Sequence, residues 1–402
     1  MLKPVYIASY HQSRFGKLFA MTVPNIVASA VEESCGEIGA DAAAIDVASI
    51  GATCNFSLNK QGLLAGLVAM VPGLGGKPIE AVENACASGG QAVLSVIQKL
   101  QLGQGEVGIA VGYEKMRNDE GKMDGVLVGE VLGYFSHPDE REGKVFVFPH
   151  IFAEVMQEYM AAHGVSERDL AEVSFQEYGN ANHNPYAQMQ KIQVTLDEVA
   201  TPEGRNRYIV DGLPLKTYDC SQITDGYAGM ILATEAGLER LGVAKADCVE
   251  VAGYGQATDP LLKEGREVLR PQGAYRAMGS AYEMAGVSAA DVNVAEIHDC
   301  FTVMGAIGAE VIGKAEVGQG AQFWKDGKAR PDGECGINTS GGLIAKGHPV
   351  GATGVAMIGW AAWQLLGKAP AELQVPNPKL AATFNIGGPI CASVCTVLRR
   401  AE

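Results

Sequence analysis

The sequence predicts an α/β fold made of two like halves. Three observations predict it. Apolar runs of strand length alternate with runs of helical period, which is the order that builds a helix-covered parallel sheet. Two glycine turns, Cys86-Ala87-Ser88-Gly89-Gly90 and Asn338-Thr339-Ser340-Gly341-Gly342, each follow an apolar approach and lead to a helix and then a strand. Such self-similarity marks an internal duplication. Finally, 402 residues with 47% apolar and 19% charged content suit a chain of two or three domains with large buried sheets.

In chain order, residues 4–9 read as a first strand and 24–38 as an amphipathic helix. A strand follows near 47–50, and 61–71 is apolar and helical. The turn at Cys86 opens a buried helix over 91–100, and 107–113 is a short buried strand. The composition then changes. Residues 114–218 are polar and irregular, with one clear helix at 151–163. Another starts at Ser166, an N-cap followed by the acidic residues Glu167 and Asp169. This stretch reads as an inserted subdomain, and long insertions in α/β enzymes often form lids or binding walls. Regular pattern resumes at 226–233. It continues with helix 235–242, strand 249–253, helix 274–286, strand 292–297, helix 301–313, helix 352–366 and a last strand at 380–385.

Composition excludes some functions. The formal net charge of −15 argues against nonspecific binding to nucleic acid or anionic membrane. It leaves room for a local basic pocket that takes a phosphorylated substrate. No apolar run approaches the roughly 18 residues of a membrane span. Nine cysteines at irregular spacing, with only Cys391 and Cys395 close together, read as free thiols in a reducing compartment. The N-terminus lacks signal-peptide architecture, and Arg399-Arg400-Ala401-Glu402 is not a peroxisomal address. Cytoplasmic residence is the expectation.

Four stretches carry chemistry. A cysteine at a strand-to-helix turn sits near free N–H groups and the helix dipole, so Cys86 is expected as a thiolate nucleophile. In Gly347-His348-Pro349-Val350-Gly351-Ala352-Thr353-Gly354, proline and glycines fix a tight corner before a helix, holding His348 as a base. Glu296-Ile297-His298-Asp299-Cys300-Phe301 ends an apolar strand, where α/β sheets place reactive groups. Three further zinc ligands are not visible around it, so no metal is expected. Phe384-Asn385-Ile386-Gly387-Gly388-Pro389 is a glycine loop whose N–H groups suit an oxyanion. Together these supply a thiolate, a base, a second proton carrier and oxyanion donors, which is what acyl transfer through a thioester needs.

These motifs, in this order over the whole chain, resemble the thiolase superfamily. Glu83-Asn84-Ala85-Cys86-Ala87-Ser88-Gly89 is similar to its nucleophile motif, and 347–354 matches its GHPxGxxG. Most thiolases carry Asn-Glu-Ala-Phe where this chain has His298-Asp299-Cys300-Phe301, and Cys-x-Gly where it has Asn385-Ile386-Gly387. Both departures resemble the sterol-carrier-protein type thiolases.

The resemblance implies a duplicated five-layered α-β-α-β-α fold. Residues 1–118 and 221–270 would form the first half, 119–220 an inserted loop domain that walls the coenzyme A site, and 271–402 the second half. It implies thiolytic cleavage of a 3-ketoacyl-CoA, or the reverse Claisen condensation, through an acyl-thioester on Cys86. His348 would take the Cys86 proton, and Cys300 would move the proton of the enolate. His298 and His348 would hold the enolate oxygen, and the N–H groups of Cys86 and Gly387 the tetrahedral oxyanion. Ser221 would contact pantetheine. Position 385 would be left without acid–base chemistry.

Coenzyme A and acyl-CoA would be substrates, with no permanently bound cofactor and a role in fatty-acid or steroid side-chain metabolism. A homodimer or tetramer is implied, with a small zinc-ribbon/OB-fold protein as a possible partner. Two other readings are a retro-aldol lyase and a non-catalytic subunit that channels acyl-CoA. Such lyases generally lack the nucleophilic cysteine, so Cys86 argues against the first of these.

Overall fold

The computed structural model describes residues 2–118 and 120–402. Residue 119, where the insertion is expected to begin, lies outside the described residues. Ten strands form the sheet: β1 (Tyr6–Gln12), β2 (Val47–Gly51), β3 (Ile79–Val82), β4 (Val107–Glu114), β5 (Gly226–Ala233), β6 (Val249–Thr258), β7 (Val294–Ile297), β8 (Gly336–Ile337), β9 (Leu380–Gly387) and β10 (Ala392–Arg400). Their order is β3-β2-β4-β5-β1-β6-β10-β9-β7-β8. The second five strands repeat the order of the first five, mirrored about the junction, so the duplication read from two glycine turns extends to the whole topology.

Two expectations are corrected. The sheet is mixed rather than parallel. β2 pairs in parallel with β3 and β4, but β5 runs antiparallel to β4 and to β1. The same pattern returns in β7, β8, β9 and β10. The physical cause is that no crossover helix covers the last strand of each half. β9 turns directly into β10, and the insertion brings β5 back beside β4 from the opposite direction. Consequently 380–385 is not the last strand, and Gly387 ends β9 instead of lying in a loop after it.

The halves also divide earlier than residue 270. β6 pairs with β10 over nine positions and meets β1 through only two, Tyr6 with Glu250 and Ile7 with Val249. β6 therefore holds in the second half the place that β1 holds in the first.

The layers are α-β-α-β-α. Helix Val23–Gly36 covers the outer face of the first five strands of the sheet and helix Gln272–Ala285 that of the second five. Between these two five-strand layers lie helices Ser88–Gln101 and Thr353–Leu366, whose apolar residues are almost all buried, as a helix with sheet on both sides requires. These two helices touch through glycine. A side-chain carbon on Gly354 would overlap the main-chain N of Gly90, and one on Gly89 would overlap the Gly351 carbonyl. Only residues without Cβ permit this approach. The two helix starts are thereby pressed together at the centre of the molecule.

The insertion between β4 and β5 is helical, with no strand among its described residues. Its helices are Gly125–Gly133, Pro138–Arg141, Val147–His163, Glu167–His183 and Leu196–Ala200. Helix Glu167–His183 starts on the Ser166–Asp169 capping box that the sequence shows. Helix Gly125–Gly133 was not legible, because glycine-rich Gly125-Val126-Leu127-Val128-Gly129 has poor helix propensity and depends on its Asp124 cap.

Candidate active site

The nucleophile turn is built under constraint. Ala85 has φ +47°, a conformation that costs an L-residue roughly 1 kcal/mol or more unless its surroundings hold it. Here the Ala85 carbonyl accepts from Thr53 Oγ1 at 3.0 Å and from Ser88 Oγ at 2.7 Å. Ser88 Oγ also accepts from Asn84 N at 2.8 Å. These bonds aim Cys86 into a cavity of about 330 Å³. Among the nine free cysteines it alone is not buried.

His348 comes from the other half. It sits between a short helical turn, Gly342–Lys346, and helix Thr353–Leu366. Its N–H donates to Thr224 Oγ1 at 3.0 Å. Thr353 Oγ1 donates to the Pro349 carbonyl at 3.0 Å and lies 2.8 Å from His348 Nδ1. The hydroxyl proton being committed to Pro349, the oxygen accepts from Nδ1–H. Nε2 therefore carries the lone pair, as a base facing a thiol must.

His298, at the end of β7, stands edge-on to His348 with ring centroids 5.0 Å apart. The sulfur of Cys86 and one ring nitrogen from each histidine lie within 4.8 Å of one another. Cys300 and Ser221 line the same cavity and are linked through the Ser221 N–H, which donates to the Cys300 carbonyl at 2.9 Å. Five of the six expected site residues thus share one space.

The sixth is displaced by one position. Gly387 pairs with Ala392 in the ladder and presses its Cα against the Asn84 carbonyl. The N–H that reaches the Cys86 sulfur, beside that of Cys86 itself, belongs to Gly388. Gly388 has φ +62° and lines the cavity. The strand runs two residues further than the sequence suggests, to Gly387, so the turn presents the next amide.

The expected thiolate is also corrected. Burial, then the nearby Glu114 carboxylate, push the Cys86 thiol up to about 12, against the two N–H groups that favour its ionised form. The first amides of helix Ser88–Gln101 give it little help, since Ala87 N and Ser88 N are bonded to the carbonyls of Asn84 and Ala85. Burial and the neighbouring Lys346 ammonium lower His348 to about 3. Burial, then His348, hold His298 well below its usual range. Burial raises Cys300 well above the usual thiol range. The resting site is thus a neutral thiol beside neutral imidazoles.

Sequence reasoning missed three residues. Glu114, fully buried at the end of β4, accepts from Thr53 N at 3.1 Å, Cys54 N at 2.9 Å and Gly351 N at 3.1 Å. It clamps the loop that supports Cys86 to the loop that carries His348. Its signal was a carboxylate directly after the apolar run 107–113. Thr353 lies within the quoted glycine motif but was not given a role. Asn385, expected to do no acid–base chemistry and given no other role, donates to the Cys86 carbonyl at 3.1 Å and contacts His298 Nδ1 at 3.0 Å.

A thiol, a base from the opposite half and paired main-chain donors around one cavity define an enzyme site for covalent catalysis by sulfur. The chain belongs to the thiolase family. The family described as "Thiolase, N-terminal domain" matches residues 5–236, and "Thiolase C-terminal domain-like" matches 255–400. The chain is 32% identical over 387 residues to an acetyl-CoA acetyltransferase of Methanothermobacter thermautotrophicus, covering 96% of this chain and 97% of the relative. It is 33% identical over 328 residues to sterol carrier protein 2 of Bos taurus, covering 78% of this chain and 58% of that protein. Among solved structures, the Ltp2-ChsH2(DUF35) aldolase superposes with a TM-score of 0.81 at 19% identity, covering 100% of this chain and 99% of that one, a likeness of fold. Among the described residues, no helix is long and apolar enough to cross a membrane.

Proposed function

We propose that the protein is an acyl-CoA acyltransferase that cleaves a 3-ketoacyl-CoA thiolytically, or runs the reverse condensation, through a thioester on Cys86. The observation that carries this reading is the Cys86 sulfur facing the cavity within 4.8 Å of two imidazole nitrogens from the opposite half.

In cleavage, His348 Nε2 takes the Cys86 proton as the sulfur attacks the 3-keto carbonyl. A neutral pair suits this, because the proton moves only as the C–S bond forms. The N–H groups of Cys86 and Gly388 hold the tetrahedral oxyanion, each such donor being worth roughly 3–4 kcal/mol of barrier. The C2–C3 bond then breaks and its electron pair passes to the departing acyl-CoA as an enolate. The Nε2–H groups of His298 and the newly protonated His348 hold the enolate oxygen, and Cys300 protonates C2. Coenzyme A next attacks the thioester. Its thiol proton restores Cys300, and the His348 proton returns to Cys86.

The apolar wall supports an acyl chain. Phe148, Phe152 and Phe301 stack in series, with centroids 6.4 and 4.5 Å apart, and Phe148 and Phe152 come from the insertion. The insertion is thus the proposed wall of the CoA and substrate site, and Ser221 a contact for the pantetheine arm. A homodimer or tetramer, cytoplasmic residence and a small zinc-ribbon/OB-fold partner belong to the same reading. The superposed aldolase is itself named with a second component, ChsH2(DUF35).

The test is CoA-dependent consumption of acetoacetyl-CoA and of longer 3-ketoacyl-CoA esters. Cys86→Ala is expected to abolish it, and Cys300→Ala to abolish turnover while leaving Cys86 able to accept an acyl group. Full turnover by either variant contradicts the assignment.

A further inference from the structure

His298 is fully buried, yet its Nε2 has no hydrogen-bond partner in the protein. The other ring nitrogen explains what this atom carries. The Asn385 amide is oriented by the Cys86 carbonyl, since only its NH₂ group can face a carbonyl oxygen at 3.1 Å. The second N–H of that group then points at His298 Nδ1, 3.0 Å away. Nδ1 must accept, so a neutral His298 carries its proton on Nε2. The amide oxygen packs against Gly90 and Gly354 and has no partner of its own.

This is the reverse of the arrangement around a metal. A ligating histidine donates its outer N–H to a carboxylate or carbonyl and offers the other nitrogen as a lone pair. His348 follows that pattern, with Nδ1–H on Thr353 Oγ1. Cys86, His298 and His348 otherwise resemble a three-ligand zinc site with an open fourth position. Beside the thiol proton of Cys86, which a bound metal displaces, the proton on His298 Nε2 stands against it.

We propose that Asn385 is a positioning residue that fixes the Nε2–H tautomer of His298, keeping the cluster an oxyanion site and closing it to soft divalent metals. The oxyanion half rests on the acyl-transfer reading above; the tautomer and the metal exclusion do not.

The test uses the full-length chain with ¹⁵N-labelled histidine rings, the His298 signals being identified by their loss in His298→Gln. Long-range ¹H–¹⁵N correlation is expected to show Nε2 protonated and Nδ1 unprotonated in the wild type. Asn385→Asp, whose carboxylate accepts, is expected to reverse the two. It is also expected to bind Zn²⁺ roughly tenfold to hundredfold more tightly than the wild type. Co²⁺ should give a thiolate charge-transfer band in this variant that a further Cys86→Ala change removes. Asn385→Ala, which imposes no tautomer, is expected to show averaged ring shifts and serves if Asn385→Asp does not fold. An Nδ1–H tautomer in the wild type, unchanged tautomers in both variants, or wild-type Zn²⁺ affinity equal to that of Asn385→Asp overturns the proposal. Failure of Cys86 to take an acyl group would overturn only the acyl-transfer reading.

Discussion

Cys86 and His348 begin the cycle neutral because desolvation of a charge outweighs the donors that would hold it. A buried charge costs several kcal/mol, whereas each N–H recovers only part of that. A preformed thiolate–imidazolium pair would react with iodoacetamide at a rate independent of pH across neutrality. With the thiol near 12 and the imidazole near 3, the alkylation rate of Cys86 should instead rise about tenfold per pH unit from roughly pH 6 to 9. A plateau below pH 8 would show that the sulfur is ionised at rest. Cys86 and His348 were legible in the sequence because each sits in a run of small residues whose backbone demands are local. Gly388 was not legible in place of Gly387. The end of β9 is decided by pairing with β10, and that pairing leaves no mark in the loop itself.

At the scale of elements, Glu114 couples the two loops. Its pKa is raised from 4.5 to about 7, burial outweighing the three N–H bonds that favour the carboxylate. The folded state therefore holds a proton that the unfolded chain has released between these values. Its contribution to stability is complete below pH 4.5 and is lost as pH rises through 7, a change of roughly 3 kcal/mol. Glu114→Gln cannot titrate. The stability advantage of wild type over Glu114→Gln should therefore shrink by about that amount between pH 4.5 and 8, as read by urea unfolding. A gap that stays constant over this range would place the titration elsewhere. The carboxylate after the apolar run marks Glu114 itself, but its partners at 53, 54 and 351 belong to other loops and leave no sequence pattern. Strands such as 107–113 were legible from their own apolar runs. The antiparallel course of β5 and β10 was not, since direction depends on how the chain returns.

Over the whole molecule, the site exists only where the two halves meet, and glycine sets that meeting. In an exposed helix Gly→Ala stabilises by about 1 kcal/mol. Gly279, exposed on helix Gln272–Ala285 with no atom near the place of a Cβ, should behave so. Gly354→Ala meets the Gly90 backbone and should reverse the sign, destabilising by about 3 kcal/mol in thermal or denaturant unfolding. Equal effects at both positions would mean that the central helices can part freely. The duplication was legible from the glycine turns at 86–90 and 338–342, whose chemistry the two halves share. The junction at β6 was not, because a strand's partner depends on the packed halves.

The central claim is that acyl transfer passes through sulfur 86. Its most direct test is peptide mass spectrometry of the Cys300→Ala protein after brief mixing with an acyl-CoA. One acyl group on the peptide containing Cys86 is the predicted result. An unmodified Cys86 in folded protein, or an acyl group on another residue, would contradict it.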